Sequence, residues 1–125
     1  MLRRVIAVSS LALALCACSQ SLQPPGDAGV CYYLASIQGT KGQFNVVARG
    51  VPDMEHCAAD LEAMRIRFLN LGGGRSQIAG SYQGAFLFLQ DEGVFTSSSF
   101  TGVRYPFLVR TGDGRLAAPG SAPSQ

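Results

Sequence analysis

The sequence predicts an α+β domain: a single antiparallel sheet of five or six strands with one amphipathic helix packed on one face, in the order ββαβββ. Three observations carry this. Only one stretch, 53–71, is long and has apolar residues at helical spacing. The stretches on either side are short, rich in branched and aromatic residues, and separated by Gly, Asp and Asn signals of chain reversal. Two cysteines, Cys31 and Cys57, fall one on the first strand and one on the helix, where a bond between them would staple the two together.

Val30 to Gln38 is the first strand, closed by the turn signal Gly39-Thr40-Lys41-Gly42. Gln43 to Val51 then alternates, with Phe44, Val46 and Ala48 on one face and Asn45, Val47 and Arg49 on the other, so the two strands form a hairpin. The helix opens at Pro52 or Asp53, which suit a first turn, and places Arg65 and Arg67 towards its C-terminal end. Its apolar stripe is Cys57, Leu61, Met64, Phe68 and Leu71, widened by Met54 and Ala58. The first strand should present Cys31, Tyr33, Ala35 and Ile37 to that stripe. Gly72-Gly73-Gly74 ends the helix, the first glycine fitting the left-handed position after the last turn.

The second half reads as β throughout. Strands are predicted at Ser76–Tyr82, Ala85–Gln90, Val94–Phe100 and Val103–Arg110, with Arg115 and Leu116 able to add a short pairing. The run AFLFLQ is apolar on both faces and therefore central, whereas Pro106 marks an edge or a break. The domain is expected to span 30–116, preceded by a tether at 18–29 and followed by a disordered tail at 117–125.

At the N-terminus, Arg3 and Arg4 precede the apolar run Val5 to Leu15, which is shorter than the roughly 20 residues a membrane-spanning helix needs and has the form of a secretory signal. The run ends in Leu15-Cys16-Ala17-Cys18. This ending resembles the lipobox of bacterial lipoprotein precursors, a resemblance confined to residues 1–18. It implies a signal peptide at 1–17, cleavage before Cys18, acylation of that cysteine, and anchoring in a membrane. Cys16 fits the pattern less well, because Leu15 occupies the place of a small residue. Ser19 in place of Asp after the lipidated cysteine implies transport to the outer membrane, facing the periplasm. The alternative is ordinary secretion after Ala12-Leu13-Ala14, which leaves a soluble chain with all four cysteines. With lipidation, Cys31 and Cys57 are the two thiols left in an oxidising compartment, and a disulfide is expected.

Removing residues 1–17 leaves a single domain's worth of chain, and the formal charge of +2 disappears with Arg3 and Arg4. Lys41 is the only lysine, so neither nucleic acid nor a polybasic membrane contact is expected. No cofactor or metal is expected either: the triple glycine leaves a helix instead of opening one, and two cysteines with one histidine make a poor zinc set. His56, beside a disulfide cysteine in the first helical turn, reads as solvated, with the helix dipole opposing positive charge there. Asp53, Glu55 and Asp60 share two turns of one helix, which does not place carboxylates across a cleft as glycoside hydrolysis requires.

The segment Thr96-Ser97-Ser98-Ser99-Phe100-Thr101 carries five hydroxyls and an aromatic ring. Ser97, Ser99, Arg104, Tyr105 and Arg110 are the candidate binding face, since exposed aromatics and arginines mark recognition surfaces; an ordinary solvated strand is the plainer reading. The stretch from Phe44 to Phe68, a strand running into an amphipathic helix, resembles half of a SPOR-type peptidoglycan-binding module, but no second helix follows Ser76 to complete it. The functional expectation is a non-enzymatic envelope lipoprotein that binds a protein or the cell wall, with a small periplasmic enzyme inhibitor or a carboxylate-based hydrolase as alternatives.

Overall fold

The computed structural model describes residues 21–74 and 76–120. The signal peptide, Cys18 and residues 121–125 of the tail lie outside the described residues. The elements are β1 (Cys31–Gln38), β2 (Lys41–Ala48), α1 (Met54–Asn70), β3 (Ile78–Tyr82), β4 (Ala85–Gln90), β5 (Gly93–Ser97), β6 (Tyr105–Arg110) and β7 (Leu116–Ala117). They build one antiparallel sheet in the order β2-β1-β3-β4-β5-β6-β7. The class is α+β with a single helix, as expected, but the sheet has seven strands instead of five or six. The extra strand forms because Asp113 Oδ1 accepts the Arg115 amide and Thr111 and Arg115 pair across the turn, which returns Leu116 and Ala117 to Arg110 and Val109. Two residues are too few to show a period in sequence.

Asp53 caps α1, its Oδ1 accepting the His56 amide at 2.8 Å. The helix lies over Cys31, Leu87, Leu89, Val94 and Leu108 on one face of the sheet. The Cys31–Cys57 disulfide joins β1 to the first turn with the Cα atoms 5.3 Å apart. The buried stripe differs from the expected one. It is centred on Cys57, Ala58, Leu61, Glu62 and Arg65, while Met64 and Phe68 are half-buried and Leu71 is 84% exposed. Hydrophobicity ranked Met64 and Leu71 above Glu62 and Arg65, and the rotation of the helix reverses that order because β6 offers the charged pair a partner.

β4 is central and buried on both faces. Its second face carries Phe86 and Phe88, which with Leu22, Leu34, Phe44 and Phe100 form a separate apolar cluster. Leu22 belongs to the stretch expected as a free tether, yet it is only 8% exposed. The stretch is held by hydrogen bonds along its length: Gly84 N donates to Pro25 O, Gly29 N to Gln83 Oε1, Val51 N to Gly29 O, and the Tyr32 hydroxyl to Asp27 Oδ2. Gln83 and Gly84 make these contacts from a two-residue turn in which both have positive φ, the geometry that suits a twisted hairpin.

Two bulges correct the expected strand faces. One between Leu34 and Ser36 leaves Ala35 unmatched in the β1–β2 register, so Ile37 leaves the helix side and lies near Leu22 and Phe100. The other, between Cys31 and Tyr32, puts both Val47 and Ala48 against the helix-side core. A one-residue slip exchanges the faces of everything beyond it. β2 also begins earlier than expected, with Gln38 opposite Lys41 across a two-residue turn. β5 stops at Ser97, and Pro106 is accommodated in β6, opposite Phe95 at a register shift and beyond the reach of β7.

Candidate functional site

β1 is paired with β2 along nearly its whole length but with β3 only through Cys31, Tyr32 and Tyr33. Beyond Tyr33 the sheet splits. The β1–β2 hairpin continues outward, and Ile78 and Ala79 of β3 are paired with β4 on one side and, among the described residues, with no strand on the other. Gly80 sets where the split begins. A Cβ there would stand 2.3 Å from the Tyr32 carbonyl oxygen and 2.6 Å from Leu61 Cδ1, so the closed part of the β1–β3 ladder requires glycine at its last rung.

The split opens a cleft of about 450 Å³ between Leu34–Ile37 on one wall and Gln77–Ala79 on the other. Phe88 and Phe100 close its aromatic side, and Tyr33, packed against Phe68 with ring centroids 5.8 Å apart, stands on the helix side. Arg104 lies over the Phe88 ring, its Cζ 3.6 Å from the centroid, and among the described residues is the one charged side chain of the lining. Phe100 packs on Phe86 and Phe88 at 5.6 and 5.7 Å between centroids. Among the described residues Arg104 forms no ion pair.

The candidate face read from the sequence is divided by this arrangement. Ser97 is buried, and its hydroxyl accepts the Ser99 amide at 3.2 Å, so these hydroxyls fold the loop instead of being displayed on a strand. That loop carries Phe100 and Arg104 back across the aromatic face. Tyr105 is exposed, opposite Thr96, which is itself opposite Leu87 of the helix-side core, and so it faces away from Arg104. Arg110 lies under the helix, where it binds Glu62. Only Arg104 of the five stands in the cleft. Sequence reading missed Ile37, Gln77 and Phe88 as site residues; their signal, a bulge and an incomplete ladder, exists only once strands are paired.

The carboxylates are engaged elsewhere. Asp53 caps the helix and also holds His56, with Nδ1 2.6 Å from Oδ1. The hydrogen bond and charge of Asp53 raise the His56 pKa, while the hydrogen bonds from His56 lower that of Asp53; the His56 side chain is exposed. Burial pushes Glu62 up, but the hydrogen bonds and charges of Arg110 and Arg65 outweigh it and hold its carboxyl below the ordinary value. Glu55 and Glu62 lie together along a second groove of about 610 Å³, between α1 and β6–β7, which has a mostly apolar lining including Ile66, Phe107 and Leu116. Among the described residues no cluster of three metal-ligating side chains occurs, and no helix is long and apolar enough to cross a membrane.

No family model matches the chain, and no curated protein or solved structure matches it with significance.

Proposed function

We propose that this chain is a non-enzymatic lipoprotein of the bacterial cell envelope, anchored through acylated Cys18, that binds a protein or cell-wall partner in the cleft between β1 and β3. One observation carries the binding reading: an open strand edge, aromatic side chains and an arginine with no ion pair among the described residues converge on one cavity. Its volume lies in the range of ligand pockets, and its mixture of apolar walls with one oriented charge is the usual chemistry of recognition. The anchor reading rests on the lipobox resemblance of Leu15-Cys16-Ala17-Cys18. Leu22 is buried on the domain, so from Cys18 the chain reaches at most about 14 Å, and the domain works against the surface of the membrane that holds it, proposed as the periplasmic face of the outer membrane.

A second reading, a small periplasmic enzyme inhibitor, is favoured by the projecting β1–β2 hairpin with its Gly39-Thr40 tip. Photocrosslinking in intact envelopes separates the two. A photoreactive residue at Gln77 should capture a partner, one at Asp113 on the opposite edge should not, and one at Thr40 should capture less than Gln77. Capture through Thr40 alone supports the inhibitor. Intact mass of the membrane-extracted chain should show Cys18 as its first residue with acyl mass added; a soluble species beginning at Leu15 removes the anchor from the proposal.

A further inference from the structure

We propose that the β1–β3 cleft is a strand-addition site for the C-terminal segment of a protein partner, taken up in extended form with its terminal carboxylate on Arg104; this rests on the binding reading given above. The backbone supplies the first argument. Leu34 to Ile37 of β1 and Ile78 to Ala79 of β3 face the cleft as two sheet edges, each strand already paired on its other side. Exposed edges of this kind are completed by another extended backbone, which offers N–H and C=O groups at the matching repeat. Side chains supply the second. Alternate residues of an added strand point to opposite faces, and the cleft has apolar surface on both: Leu34, Phe88 and Phe100 on one, Tyr33 and Ile78 on the other.

Charge supplies the third. The Arg104 guanidinium is held over the Phe88 ring, its Cζ 3.6 Å from the centroid, and among the described residues it has no ion pair, which leaves its N–H groups for an anion. Among the described residues no acidic side chain lines the cleft. A carboxylate matches that fork in both shape and charge. A glycan fits less well, because sugar rings need a bare aromatic face and Phe88 is only 3% exposed beneath Arg104. Peptides with D-residues would send side chains to the wrong faces of the ladder, which favours an ordinary protein C-terminus over a cell-wall stem peptide.

The test uses the full mature chain, isotope-labelled in detergent micelles, and random-sequence L-pentapeptides with free C-termini at millimolar total concentration. Amide signals of Leu34–Ile37 and Gln77–Ala79 should shift, and amidating the peptide C-termini or replacing Arg104→Gln should each weaken binding about ten- to a hundredfold, the range for a charge-assisted hydrogen bond. Arg104 is exposed, so the variant should keep the wild-type spectrum elsewhere. Equal binding of free and amidated peptides, shifts confined to the outer edge of β2, tighter binding of isolated stem peptides, or no shifts at all overturns the proposal. If Gln77 still captures an envelope partner in any of those cases, the ligand assignment falls and the binding reading stands. If Gln77 captures nothing as well, both fall.

Discussion

Arg110 donates to both carboxylate oxygens of Glu62, Nε to Oε1 at 3.0 Å and Nη2 to Oε2 at 2.9 Å, joining the middle of the helix to a strand 48 residues later. Arg65 adds a third hydrogen bond to Oε1 at 2.8 Å and reaches Asp91 Oδ1 at 2.9 Å and Ser76 O with its remaining nitrogens. Glu62 is 5% exposed and Arg65 8%. The cluster ties α1, the start of β3, the β4–β5 turn and β6 into one unit, so the rotation of the helix is set by ion pairing as much as by apolar burial.

Removing Glu62 should therefore be severe. Glu62→Ala leaves Arg110 without its anion and Arg65 with Asp91 alone, and is expected to lower stability by about 3 kcal/mol, measured by urea unfolding. The folded pKa of Glu62 is held below 4.5, so its contribution is complete above about pH 4.5 and is lost as pH falls through the lower folded value. Glu62→Gln should flatten that acid limb of the stability profile; an unchanged limb assigns acid unfolding to other carboxylates.

The disulfide closes a loop of sequence separation 26. In the chain-entropy treatment that constraint stabilises the fold by about 3.5 kcal/mol. Reduction, or Cys31→Ala with Cys57→Ala, should lower the melting temperature by about 10–20 °C. Calorimetry with and without reductant measures it, and a shift of under about 3 °C means the reduced chain already holds β1 beneath the helix.

At the last β1–β3 rung, Gly80→Ala forces a methyl against the Tyr32 backbone, which cannot turn aside as a side chain can. A loss of about 2–3 kcal/mol is expected, of the size seen for overpacked cores. Gly74→Ala is the control, since nothing lies within 4 Å of the added atom. Equal effects at the two positions would mean the ladder relaxes freely and does not fix where the cleft opens.

His56 should titrate above its ordinary 6.5, read from its ring proton shifts. The gain from its pairing is complete below that value and lost as pH rises through the folded pKa; the matching gain at Asp53 is present above about 3.8 and lost as pH falls. Asp53→Asn preserves a good helix cap and should return the His56 midpoint towards 6.5. A midpoint that stays raised in that variant assigns the shift to Asp60 and Glu55 instead.

Local chemistry in the sequence was enough to determine the single helix, its start to within a residue at Pro52 or Asp53, its glycine end, the central place of AFLFLQ, and the pairing of Cys31 with Cys57. Each of these depends on residues close in sequence or, for the disulfide, on a count and a shared buried face. The cleft depends on none of these. It arises because β1 leaves β3 after Tyr33, because bulges exchange strand faces at Ala35 and Val47, and because the loop after Ser97 folds Arg104 over Phe88. Periodicity assumes an unbroken register, and these positions break it. Hydrophobic ranking likewise assumes that charge stays in water, whereas Glu62, Arg65 and Arg110 are carried inward because β6 brings its arginine into contact with the charged pair on α1. Such partnerships are relations between distant residues, and only the tertiary structure decides them.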